Sequence, residues 1–289
     1  MKETTIYIQE SLKTLYPPEE IRWFIRLIFS HVCGLSYNQQ LLCKDKQISV
    51  KEKEEIVTIV DRLKSMEPLQ YIFGQTEFYS LPLIVNRSVL IPRPETEELV
   101  EMIIKSFAHV SGTPLRILDI GTGSGCIAIA LKKYIPNATV TAIDVSHTAL
   151  QTAKENAVLN QTEINFIQAD ILYTEKATSL ISGPFDLIVS NPPYIREDEK
   201  SSMSANVLEY EPHQALFVPN KDPLLFYKAI ADFALQKLTP EGRIYLEINP
   251  LCDIMATDML HKKGFAQTEI TRDLSGKNRF ITAKQTTSP

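Results

Sequence analysis

Apolar and polar positions follow two different patterns along this chain. Up to about residue 70 the apolar positions recur at the i, i+3, i+4 spacing of helices. Ile21, Phe24, Ile25, Ile28, Phe29 and Val32 form one stripe, opened by Pro17-Pro18-Glu19-Glu20 and ended by Gly34. Prolines are tolerated in a first helical turn, and acidic residues there face the positive end of the helix dipole. A second stripe, Ile56, Ile59, Val60 and Leu63, follows Ser49, and Glu52 three residues on completes a capping box. Both stripes predict the core of a small helical unit.

Between Pro68 and Pro94 the pattern changes. Residues 76–85 mix aromatic and β-branched residues with Pro82, which predicts a hairpin of edge strands. The run Ile91 to Glu98 then opens a helix, with Glu95 or Thr96 near its N-cap. From Arg116 onward strands alternate with helices. Strands are expected at 116–120, 139–143, 164–168, 185–190 and 242–248, and helices near 125–134, 147–159, 223–237 and 251–263. Continuous apolar strands separated by helices imply a mostly parallel α/β sheet covered on both faces. Segments 267–272 and 279–284 are expected to close it, one of them antiparallel. The tail from Gln285 to Pro289 is expected to fray. The expected division is a helical domain at 1–75, a hairpin linker at 76–95 and the sheet domain at 96–289. No repeat or low-complexity segment interrupts it.

Composition narrows the classes of function. The chain has 289 residues, 44% of them hydrophobic, and a net charge of -5, enough for a full core and without the basic footprint of a nucleic-acid binder. No apolar run approaches the roughly 18 residues of a membrane span. The first ten residues lack the apolar core of a signal peptide. The four cysteines, Cys33, Cys43, Cys126 and Cys252, form no C-x-x-C pair and suit reduced thiols better than disulfides or zinc ligation. A cytoplasmic, monomeric protein without a metal is expected.

The chemistry concentrates at the ends of the predicted strands. The first is followed by Gly121-Thr122-Gly123-Ser124-Gly125, and a helix follows that. Glycine lets a backbone turn sharply and lie against a ligand, and a helix starting there points free amides at it. Asp144 ends the second strand, where an acidic residue can bind ribose. Asp170 ends the third, and Asn191-Pro192-Pro193-Tyr194 follows the fourth. Ligands in such sheets bind beyond the carboxyl ends of the strands, so these residues should share one crevice. Two prolines remove two N–H donors. What remains, the carbonyls and the Asn191 amide, is an acceptor set suited to a planar –NH2 group. The turn alone also admits a dehydrogenase, although G-x-G-x-G departs from the dinucleotide spacing.

Asn-Pro-Pro-Tyr together with Gly-x-Gly-x-Gly resembles the signature of S-adenosyl-L-methionine-dependent methyltransferases that act on a planar nitrogen of adenine, cytosine or glutamine. The chain most resembles the release factor glutamine methyltransferases, on Glu67-Pro68-Leu69-Gln70-Tyr71-Ile72-Phe73-Gly74, Glu77-Phe78-Tyr79, the run Val89 to Glu97, and Tyr210-Glu211-Pro212. The likeness runs from Glu67 to the C-terminus. It implies a Rossmann-like methyltransferase domain of seven strands, the last antiparallel, behind a helical substrate-recognition domain. It implies that Gly121, Thr122, Gly123, Ser124 and Gly125 wrap the methionine part of the cofactor. Asp144 then holds the ribose, and Asp170 and Ile171 line the adenine; the family often has Trp at the latter position. Asn191, Pro192, Pro193 and Tyr194 receive the substrate, which is the glutamine in the Gly-Gly-Gln loop of class 1 peptide chain release factors. Asn191 Oδ1 and the Pro192 carbonyl accept its amide hydrogens, Tyr194 packs against it, and S-adenosyl-L-homocysteine is the product. The same chemistry on a ribosomal-protein glutamine or on DNA adenine N6, and a cofactor-binding interaction protein without catalysis, are the competing readings.

Overall fold

A computed structural model describes residues 1–42, 45–107 and 114–285. Cys43 and residues 286–289 of the tail lie outside the described residues. The chain divides into two compact units, Met1–Gly74 with Ser204–Tyr210, and Gln75–Met203 with Glu211–Pro289.

The first unit is built from α1 (Lys2–Leu12), α2 (Pro18–Cys33), α3 (Tyr37–Leu42), α4 (Val50–Lys64) and α5 (Leu69–Phe73). The predicted stripes supply its core: Ile28, Phe29, Ile56 and Leu63 are almost fully buried, with Ile8 and Leu12 of α1. Ile25 and Val32, at the margins of their stripe, are half-buried. The capping box forms: Ser49 Oγ accepts from the Glu52 amide at 3.3 Å, and Glu52 Oε2 accepts from the Ser49 amide at 2.7 Å.

The remaining elements, in chain order, begin with the hairpin β1 (Gln75–Phe78) and β2 (Leu81–Ile84) and the helix α6 (Pro94–Phe107). Next come β3 (Arg116–Ile120), α7 (Cys126–Tyr134), β4 (Thr139–Asp144), α8 (His147–Leu159), β5 (Asn165–Gln168), α9 (Thr174–Leu180) and β6 (Phe185–Ser190). After β7 (Ile195–Arg196), α10 (Ala205–Tyr210), which belongs to the first unit, and β8 (Phe217–Val218) come α11 (Leu225–Lys237), β9 (Leu238–Glu247), α12 (Asp253–Lys262), β10 (Phe265–Arg272) and β11 (Asn278–Gln285).

Seven strands pair in the order β10-β11-β9-β6-β3-β4-β5. All are parallel except β11, which runs antiparallel to both β9 and β10. The apolar runs are continuous because both faces are covered. Ile117, Leu187 and Val189 face Leu99 of α6 and Ile127 of α7. Leu118, Ile120 and Ile188 face Ile230 and Phe233 of α11 and Leu260 of α12.

The sequence reading named no element at α9, β7, α10 or β8, and it differs from the structure at three further places. The strand expected from Gly242 starts at Leu238, because a register shift against β6 takes Thr239-Pro240-Glu241-Gly242 into the strand as a bulge where their composition reads as a turn. The last helix is preceded by a separate 3-10 turn, Pro250–Cys252. Thr96, placed near an N-cap, is the third residue of α6 and its side chain points elsewhere.

Candidate active site

The glycine turn leaves β3 and is fixed by its own amides. Gly121 and Thr122 both donate to the Ile143 carbonyl at 2.9 Å, Gly123 donates to Asp144 Oδ2 at 2.9 Å, and Gly125 donates to the Thr122 carbonyl at 2.8 Å. These four amides are taken up inside the protein. The Ser124 carbonyl is held by Asn156 Nδ2 at 2.9 Å; the same fully buried Asn156 also ties down Ile84 of the hairpin. Gly123 has φ +55°, and a Cβ built on it would project into open space. Gly125 serves packing instead: its Cβ would lie 3.2 Å from that of Ala153 in α8.

A cavity of about 430 Å³ opens beyond the carboxyl ends of β3, β4, β5 and β6, and all of its wall belongs to the second unit. Gly121, Thr122, Gly123, Ser124, Asp144, Asp170, Ile171, Asn191, Pro192 and Pro193 line it, as the shared-crevice expectation required. Gly125 and Tyr194 do not. The Tyr194 hydroxyl donates instead to Glu247 Oε1 at 2.9 Å, and burial, reinforced by that carboxylate, raises the phenol above its ordinary range.

Each acidic residue at a strand end has a local task. Asp144 takes the Gly123 amide on one oxygen and the Ser146 amide, at 2.9 Å, on the other, so it fastens the turn to β4. Burial raises its pKa, and the backbone donors oppose that rise. The two oxygens together offer about four acceptor sites, more than these backbone donors use, so a ligand hydroxyl can still be bound. Asp170 Oδ1 accepts from the Leu172 amide at 2.9 Å, shaping the turn that brings Ile171 to the wall. Asp119, beneath the turn, is fully buried; burial pushes its carboxyl up to about 7, against the opposing hydrogen bond from Thr122 at 2.7 Å. The Cys126 thiol, pushed up by burial to about 12, is no nucleophile near neutral pH.

Sequence reasoning missed two further features. Ser88, Val89, Leu90, Pro92 and Arg93 form part of the wall, braced by Glu211, which accepts from Arg93 Nη2 at 2.7 Å and from the Ile91 amide at 3.3 Å. Both partners sat in segments that carry the family likeness, which was the signal available. Asn191 Nδ2 donates to Thr96 Oγ1 at 3.0 Å, and Thr96 donates to Glu247 Oε2 at 2.7 Å. Glu247 is buried, and burial raises its pKa despite the two hydroxyl donors and the nearby Arg279. Nothing in the spacing of these three residues announced their contact. Among the described residues, no group of three or more His, Cys, Asp or Glu is placed to hold a metal ion, and no helix is long and apolar enough to cross a membrane.

Residues 7–74 match the family model "PrmC N-terminal domain" and residues 96–216 match "Methyltransferase small domain". The release factor glutamine methyltransferase of Flavobacterium psychrophilum is 45% identical over 273 residues, covering 94% of each chain. The chain belongs to the release factor glutamine methyltransferase family. Another member, from Bacteroides thetaiotaomicron, is 40% identical and covers 99% of this chain and 100% of its own. A methyltransferase of Pyrococcus furiosus shares the fold, with a TM-score of 0.51 over 82% of this chain and 98% of that one at 16% identity.

For this methyltransferase family the donor is S-adenosyl-L-methionine, and the cavity fits it. Its size is within the roughly 300–1,000 Å³ of small-molecule sites. Open space over Gly123, a carboxylate at the end of β4 and the apolar wall at Ile171 match a ligand with a zwitterionic chain, a ribose and a flat base.

Proposed function

We propose that this protein methylates the side-chain amide nitrogen, N5, of the glutamine in the Gly-Gly-Gln loop of peptide chain release factors. S-adenosyl-L-methionine, when bound, supplies the methyl group from a positively charged sulfur. Gly121 to Ser124, Asp144, Asp170 and Ile171 are the residues to hold it. The observation that carries the reading is the state of Asn191: its Nδ2 is bonded to Thr96, while its Oδ1 makes no hydrogen bond among the described residues and the residue lines the cavity. An acceptor stands ready where an –NH2 group would enter.

An amide nitrogen is a poor nucleophile because its lone pair is delocalised, as the rotation barrier of roughly 18–20 kcal/mol shows. Asn191 Oδ1 and the Pro192 carbonyl accept the two amide hydrogens, fix the amide plane and favour positive charge on the nitrogen, which loses one of those protons to solvent as or after it gains the methyl group. Orientation of this kind can contribute roughly 7–11 kcal/mol. Pro192 and Pro193 keep competing N–H donors out of the pocket. Tyr194 holds the loop through Glu247 and, with its raised pKa, serves as no base near neutral pH. The helical unit is assigned to holding the body of the protein substrate.

The test is methyl transfer from labelled cofactor to purified release factor, with a ribosomal-protein fraction and plasmid DNA as competing acceptors. Label in the release factor at its Gly-Gly-Gln glutamine, located by mass spectrometry, is expected. Label only in DNA or ribosomal protein, or in nothing, overturns the reading.

A further inference from the structure

Asn191, Thr96 and Glu247 come from the loop after β6, the first turn of α6 and the end of β9. With Glu247 ionised, their hydrogen bonds have only one direction. A hydroxyl has one proton, and an ionised carboxylate can only accept. Glu247 accepts from Thr96 on one oxygen and from Tyr194 on the other. Thr96 has therefore given its proton away and can only accept from Asn191. That turns the Asn191 amide so that Nδ2 faces Thr96 and Oδ1 is left for the cavity.

The end of this chain is chemically unusual. Buried carboxylates are ordinarily paired with a cation. Among the described residues Glu247 receives hydroxyls alone, while Arg279, whose charge favours its ionised form, is bonded to Asp273 at 3.0 Å. A glutamine there would fill the same space without the burial cost of a charge. It would also be ambiguous: its own –NH2 could donate to Thr96, which could then donate to Asn191 and reverse the amide. Only a group unable to donate fixes the direction.

We propose that Glu247, acting through Thr96, is a positioning residue that sets the Asn191 amide and thereby makes the site select a carboxamide –NH2 over a carboxylate. This rests on the glutamine reading above. With the chain reversed, Asn191 would present –NH2 to the incoming –NH2, donor against donor, and would suit the acceptor oxygens of a glutamate instead.

The experiment uses the full chain and a purified release factor, with a second release factor carrying glutamate in place of the target glutamine as competitor. Glu247→Gln is expected to keep cofactor affinity by calorimetry and to lower kcat about 10- to 100-fold, the scale of one mispaired buried polar group. It is also expected to be inhibited more strongly by the glutamate form than wild type is. Thr96→Val is expected to lose the same rate, and Thr96→Ser, which keeps the hydroxyl, to restore it; this pair decides the matter if Glu247→Gln does not fold. Wild-type kcat and wild-type discrimination in Glu247→Gln and Thr96→Val overturn the positioning role while leaving the glutamine reading intact. A wild-type chain that labels no release factor overturns that reading first, and the positioning role with it.

Discussion

Individual side chains at this site divide between those that face the ligand and those that aim them. Asn191 lines the cavity, and a single preorganised polar contact of the kind proposed for it is worth about 2.7–4 kcal/mol. Asn191→Ala is therefore expected to lower single-turnover methylation by at least about 100-fold while cofactor affinity stays near wild type. Asp119 aims the turn from below, and its burial has a consequence for pH. Its folded-state pKa, about 7, exceeds its ordinary value of 3.8. Below the ordinary value both folded and unfolded chains hold the proton, and no cost arises. Between the two values only the folded chain holds it, so stability from this group falls as pH rises, and above the folded value the loss is complete. Asp119→Asn has no such proton to lose. The stability of wild type relative to the variant is expected to decline from about pH 4 to about pH 7, read by urea unfolding at each pH.

At the scale of elements, the glycine turn is a joint between β3, β4, α7 and α8 as much as a ligand surface. Gly125 shows this most directly: φ is +83°, and an added Cβ would meet Ile129 Cδ1 at 3.1 Å and Ala153 Cβ at 3.2 Å. The isoleucine end can swing aside; the alanine on α8 cannot. Gly125→Ala is expected to destabilise by about 1–2 kcal/mol from the backbone alone, with a lower melting temperature by calorimetry. The elements themselves were largely legible. Helical stripes and continuous apolar strands arise from local periodicity, and β3 and β6 begin and end where the sequence placed them. The bulge that extends β9 was not legible, because it exists only through pairing with β6.

For the whole molecule, the two units have separate apolar cores, and the cavity wall belongs to the second alone. A ligand that binds only the folded state stabilises by about 2.7 kcal/mol at 100 times its dissociation constant. Saturating S-adenosyl-L-methionine is expected to raise the calorimetric transition of the second unit. Asp144→Ala is expected to shrink that rise, since the carboxylate both fastens the turn and stands at the cavity.

The sequence by itself determined the strongly periodic elements, the alternation of the main parallel strands with helices, the glycine turn and the donor-poor Asn191-Pro192-Pro193 segment. All of these are written in neighbouring residues. Tertiary structure alone decided that the turn's amides point inward, that Gly125 packs a helix, and that Tyr194 turns from the cavity to a buried carboxylate. It alone brought Thr96 to Asn191 across 95 positions and to Glu247 across 151. A hydrogen bond's direction depends on which groups meet, and only the folded sheet brings these together.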